Sequence, residues 1–275
     1  MAELLLDGLA IGESPRWHDG RLWFSNWGTG EVLAAGADGK SELMASVPPE
    51  TLPFSIDWLP DGRLLIIAGV RLLRQENDGT LVEHADLSQV ADLCNEIVVD
   101  RRGNVFVNGG SFDFSKPSIV AVVTPDGQVR QVADGILFAN GMAVTEDGTT
   151  LIVAESHGCR LSAFDIGEGG ELSNRRVWAD LSEGNHPDGI CLDAEGAVWY
   201  ADVPNQHCVR VQEGGEVLQT VKVDRGAFAC MLGGDDGRTL YILAAEWAGF
   251  ENMFSPVRTG QLLTHPAPAP HAGRP

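Results

Sequence analysis

Six positions in this 275-residue chain stand seven or eight residues before a recurring turn glycine. Five are polar (Glu13, Ser55, Asn95, Asn140 and Asp188), and the sixth is Ala229. Two carboxylates and two carboxamides brought to one place form a set of hard oxygen donors of the kind Ca2+, Mg2+ or Mn2+ accepts. The two acids would repel each other, so a positive charge has to accompany them. No His or Cys shares this phase, which argues against a thiolate or multi-imidazole zinc site. Taken singly, each residue reads better as a turn or surface residue, Asn140-Gly141 and Asp188-Gly189 above all. Taken together at one repeat phase they point to a ring, because strand interiors otherwise select apolar side chains.

The phase comes from an internal repeat. WHDGRLWFS (17–25), LPDGRLLII (59–67), DRRGNVFVN (100–108), TEDGTTLIV (145–153), DAEGAVWYA (193–201) and DDGRTLYIL (235–243) each place a tight turn before an apolar run. Their glycines, Gly20, Gly62, Gly103, Gly148, Gly196 and Gly237, are 42, 41, 45, 48 and 41 residues apart. A second turn series is interleaved at Asp38-Gly39, Asp78-Gly79, Asp126-Gly127, Gly169-Gly170 and Gly214-Gly215. Two hairpin turns per repeat imply four strands per unit, and six units imply an all-β, six-bladed β-propeller. In such a fold the innermost strands line a channel, so equivalent positions meet around it.

The sixth repeat lacks a last strand, and Glu3–Leu9 (ELLLDGL) reads like the strand VRQVADG of the third. The N-terminal strand is therefore expected to close the last blade, leaving no open edge to template aggregation. Residues 1–265 are read as one domain and the Pro/Ala-rich residues 266–275 as a disordered tail. A doubly wound α/β fold would need amphipathic helical windows between strands, and none of convincing length occurs.

Composition narrows the partners. Hydrophobic residues at 44% and charged residues at 21% suit a folded soluble protein. Thirty-nine acids against 19 bases give a net charge of −20, which repels nucleic acid and anionic membranes. No run is apolar for the length of a membrane span, and the N-terminus lacks signal-peptide character. Five scattered cysteines without a C-x-x-C pair suit a reducing cytoplasm better than a disulfide framework. The expected partner is a small molecule; oligomeric state is left open.

GESPRW (12–17), CNE (94–96), ANGMAVTEDGTTLIVAES (139–156) and HPDGICLDAEGAVWYAD (186–202) resemble the family of gluconolactonase, senescence marker protein and luciferin-regenerating enzyme. The resemblance extends to about Glu246. It implies a six-bladed propeller with one divalent metal in the channel mouth: Ca2+ first, with Mg2+, Mn2+, Zn2+ or Fe2+ as alternatives. It carries the metal ligands onto Glu13, Asn140 and Asp188, and a substrate-contacting asparagine onto Asn95.

The implied activity is lactone hydrolysis to a hydroxy acid, with Asp188 as general base on an attacking water. Ser14 lies outside any G-x-S-x-G elbow, and no covalent nucleophile is required. Where sugar-lactone hydrolases of the family often carry an arginine, two residues before Asn95, this chain has Leu93. Leu52, Phe54, Ser55, Phe112, Phe114 and Phe138 are candidate rim residues, and His186 is a candidate substrate or proton-shuttle residue. A rim this apolar suits a less polar lactone or ester than a sugar lactone. The alternatives are a strictosidine-synthase-like or other non-hydrolytic catalyst, and a non-enzymatic small-ligand binder with a structural metal.

Overall fold

The computed structural model describes residues 2–48, 51–113 and 115–274. It places each first-series glycine between the innermost strand of a sheet and the next strand. The second-series turns each join a third strand to a fourth.

The chain begins with β1 (Glu3–Leu9), which belongs to the last sheet. Sheet one runs outward through β2 (Ile11–His18), β3 (Arg21–Trp27), β4 (Glu31–Ala35) and β5 (Ser41–Ser46). Sheet two contains β6 (Phe54–Trp58), β7 (Leu64–Ala68), β8 (Arg71–Gln75) and β9 (Leu81–Asp86). Sheet three contains β10 (Leu93–Val99), β11 (Val105–Gly110), β12 (Ser118–Val123) and β13 (Val129–Ile136). Sheet four contains β14 (Ala139–Val144), β15 (Thr150–Glu155), β16 (Arg160–Ile166) and β17 (Leu172–Asp180). Sheet five contains β18 (Pro187–Asp193), β19 (Val198–Asp202), β20 (His207–Val211) and β21 (Val217–Lys222). Sheet six contains β22 (Gly226–Gly233), β23 (Thr239–Ala245) and β24 (Gly260–Pro266), completed by β1.

The inner strands β2, β6, β10, β14, β18 and β22 neighbour one another in that order, and β22 returns to β2. This is the six-bladed propeller expected from the repeat. Its closure is also as expected: Glu3 pairs with Thr264 and Leu9 with Gly260, antiparallel.

The core lies between the blades. Strand β7 (LLIIA) is buried at every position because both faces of its sheet are covered. Its Leu64 and Ile66 pack with Trp23 and Val32 of sheet one, while Leu65 and Ile67 pack with Val105 and Val107 of sheet three. That double coverage explains why the second strands read as continuous apolar runs.

The expectation of a disordered tail is corrected. Strand β25 (His271–Ala272) pairs with Leu192 and Asp193 at the end of β18, and Arg274 bridges Val144. Proline removes donors, but three of the remaining amides of this segment make backbone hydrogen bonds elsewhere in the fold. Ala267 donates to Arg238 O at 2.7 Å, His271 to Gly237 O at 2.9 Å and Arg274 to Val144 O at 2.8 Å. Ala269 is buried. Composition alone hid these pairings.

Candidate functional site

Five of the six inner strands bulge at the phase selected from the repeat. Register breaks lie between Glu13 and Arg16 in β2, Cys94 and Ile97 in β10, and Ala139 and Met142 in β14. Two more lie between Pro187 and Ile190 in β18 and between Ala227 and Ala229 in β22. A bulge re-aims side chains locally, and here it turns Glu13, Asn95, Asn140 and Asp188 toward one cavity of about 500 Å3. Strand β6 pairs with β7 in unbroken register from Phe54 to Trp58. Ser55 accordingly does not line the cavity; its hydroxyl donates to the carbonyl of Asn95.

Phe54 is a second correction. It is fully buried in the core, and only its carbonyl serves the site, accepting from Trp27 Nε1 at 2.7 Å. Phe138, His186, Leu52, Leu93 and Phe112 do line the cavity. Phe114 lies outside the described residues.

The four polar residues are knitted together. Asn95 Nδ2 donates to Asn140 Oδ1 at 3.4 Å, and the Asn140 side-chain amide also hydrogen-bonds the Asp188 carboxylate. Ser156 Oγ, 3.5 Å from Asn140 Nδ2, donates to Pro187 O at 2.7 Å and so ties blade four to the residue before Asp188. Asn108 braces from behind, donating to the Asn140 carbonyl and accepting from the Glu96 amide. Neither Ser156 nor Asn108 was singled out from sequence, since each lies on a second strand or just past it, off the ring phase.

Burial above all, then the charges of Asp188 and Glu96, push the Glu13 carboxyl well above its usual range. Burial, Asp202 and Glu96 do the same to Asp188. Among the described residues, no Lys, Arg or His forms a salt bridge with either acid. The nearby guanidinium of Arg16 is committed to Glu96 at 3.1 Å and to the Ile97 carbonyl at 2.6 Å. A buried acid, a half-buried acid and amide oxygens, with Lys116 at the wall paired to Asp113 rather than to either acid, are a donor set that fits a hard divalent cation.

The glycines after two of these residues serve close approach as well as local shape. A Cβ on Gly141 would sit 2.5 Å from Asp188 O and 2.6 Å from Ile190 N, and one on Gly189 would sit 2.5 Å from Ala229 Cβ. Gly141→Ala is therefore expected to push β14 from β18, costing about 2 kcal/mol of stability. Thermal unfolding would check it; a wild-type melting temperature in the variant would contradict this view of the packing.

His186 is held by two bonds: its backbone amide donates to Asp202 Oδ2 and its Nδ1 lies 2.9 Å from the Ser156 carbonyl. A carbonyl only accepts, so Nδ1 donates the proton of this hydrogen bond. His157 stacks on Phe138 with ring centroids 4.5 Å apart. Cys94 beside the ring is a buried thiol, which burial pushes up to about 12, so it is no nucleophile at neutral pH.

One part of the wall was not anticipated from the repeat. The connection between β23 and β24 brings Trp247, Phe250, Met253 and Phe254 to the cavity. It has no counterpart in the turn series, and no sequence signal tied it to the ring.

Comparison with known proteins agrees with this architecture. The model of the SMP-30/Gluconolactonase/LRE-like region matches residues 11–246. Regucalcin of Oryctolagus cuniculus is 34% identical over 265 residues, covering 88% of this chain and 85% of that protein. The structure of a calcium-binding regucalcin from Agrobacterium tumefaciens superposes with a TM-score of 0.81 at 20% identity, covering 100% of this chain and 95% of the other. A gluconolactonase from Xanthomonas campestris gives 0.75 at 22% identity, covering 96% and 89%. The chain belongs to the SMP-30/gluconolactonase/LRE-like family.

Proposed function

We propose that the protein is a divalent-metal-dependent lactone hydrolase. The observation that carries this reading is the meeting of Glu13, Asn140, Asp188 and Asn95 in one cavity, from four different blades. Glu13, Asn140 and Asp188 would hold the ion, with Ca2+ the first candidate, as in the calcium-binding neighbour. When bound, a divalent cation supplies Lewis acidity toward the lactone carbonyl oxygen.

The chain's own residues do the rest. Asn95 orients the lactone through its amide. Asp188 takes the proton of the attacking water as the new C–O bond forms at the carbonyl carbon. The ring C–O bond then breaks, and the leaving ring oxygen takes a proton to give the hydroxy acid. His186, which lines the same cavity, would relay protons between Asp188 and solvent. Trp27, Leu52, Leu93 and Phe138 enclose the site and limit bulk water. With Leu93 in place of the family's arginine, a less polar lactone is the better fit.

The experiment is chelation. Dialysis against EDTA is expected to abolish lactone hydrolysis and stoichiometric Ca2+ or another divalent ion to restore it, with elemental analysis reporting about one metal per chain. Turnover that survives complete metal removal would refute the reading.

A further inference from the structure

The segment from Glu246 to Thr259 lies between β23 and β24 and begins on the last residue that matches the family model, yet it builds one side of the cavity. Its base is fastened: Glu246 N meets Thr259 Oγ1 at 3.2 Å, and Arg225 Nη1 donates to Thr259 O at 2.6 Å. Arg258 Nη1 reaches the Gly8 carbonyl at 2.8 Å, tying the segment to the closing strand.

Its rings complete a chain of aromatic contacts across the mouth. Phe228 of blade six meets Trp247 at 5.9 Å, and Trp247 meets Phe250 at 5.2 Å, edge to face. Phe250 reaches Phe138 of blade four at 6.2 Å, and Phe138 stacks on His157. On the opposite side Phe254 meets Trp27 of blade one at 5.8 Å. Phe250 and Phe254 remain 50% and 40% exposed, so their rings have apolar area left to cover.

A sugar lactone needs hydrogen-bond partners for each hydroxyl, and this wall offers rings and a thioether instead. Glu13, Asn95, Asn140 and Asp188 on the inner strands lie where the lactone ring itself would sit, and the loop's own contribution to the cavity is Trp247, Phe250, Met253 and Phe254. We propose that the 246–259 loop is the specificity element of this site and selects lactones bearing an alkyl or aryl substituent, held between Phe250, Trp247 and Phe138. The proposal rests on the hydrolase reading given above.

The test compares δ-valerolactone, which has the ring alone, with δ-decalactone, which adds a pentyl chain, on metal-loaded protein. The expected kcat/KM ratio favours δ-decalactone by roughly tenfold or more. Phe250→Ser and Trp247→Ser, at partly exposed positions, are each expected to reduce that ratio several-fold, with circular dichroism confirming the fold. Calorimetry of the matching lactams on wild-type protein gives a second readout, with the pentyl lactam expected to bind roughly tenfold more tightly. Turnover with no preference, equal lactam affinities, or a ratio unmoved in both variants overturns the loop's role and leaves the hydrolase reading standing. No turnover on any lactone refutes the hydrolase reading itself, and the proposal with it.

Discussion

Asp188→Asn is expected to lower lactone kcat/KM by about a thousandfold or more while leaving the metal-free protein folded. The substitution removes the proposed base and one of the two proposed acidic metal ligands, and general-base loss alone is worth roughly 10²–10⁴. The amide keeps the size of the side chain and its hydrogen bond with Asn140. It also removes one of two acids that repel each other through the same cavity, since the charge of Asp188 raises Glu13. The melting temperature of the chelated variant should therefore match or exceed that of chelated wild type. Kinetics, calcium titration and thermal melts on the same preparations decide the matter. Near-normal turnover would show that Asp188 is not the base. A variant that unfolds without metal would favour a structural role for the site over a catalytic one.

Glu155→Gln is expected to destabilise the fold by about 2 kcal/mol at neutral pH, with an effect that disappears in acid. Glu155 closes β15, and its side chain is fully buried. Arg160 binds it at 3.0 Å, Arg175 at 2.9 Å and the Leu137 amide at 2.9 Å, with the Ser162 hydroxyl as a further donor. Burial pushes this carboxyl up, but the hydrogen bonds more than reverse that and bring it from 4.5 to about 2. A shift of that size corresponds to about 3 kcal/mol. The two guanidiniums are 31% and 33% exposed, so solvent screening reduces it to roughly 2 kcal/mol.

A depressed folded-state value means the stabilisation is complete above the unfolded value of 4.5 and is lost as pH falls toward about 2. Urea unfolding of both proteins from neutral pH into acid should show the gap shrinking over that window. A gap that stays constant would assign the loss to packing instead. Because the Leu137 amide hangs on Glu155 Oε2, the same variant should loosen Phe138 and His157 at the cavity wall.

The amino-acid sequence by itself determined the architecture, because turn chemistry recurring every 41–48 residues leaves few ways to pair the strands between. It also determined that Glu13, Asn95, Asn140 and Asp188 share one place in the repeat, which in a closed ring brings residues 175 positions apart to one cavity. Which side of the backbone a residue at that phase presents was decided only in three dimensions. Ser55 has the phase but β6 has no bulge, so pairing with β7 keeps its side chain off the cavity, and Phe54 beside it enters the core. The 246–259 loop belongs to no repeat, so its meeting with blades one and four depended on where the ring placed their rims. The last residues likewise found partners only because β18 offers unpaired backbone at Leu192 and Asp193. Periodicity encodes contacts that every repeat makes alike; contacts made once depend on the assembled surface.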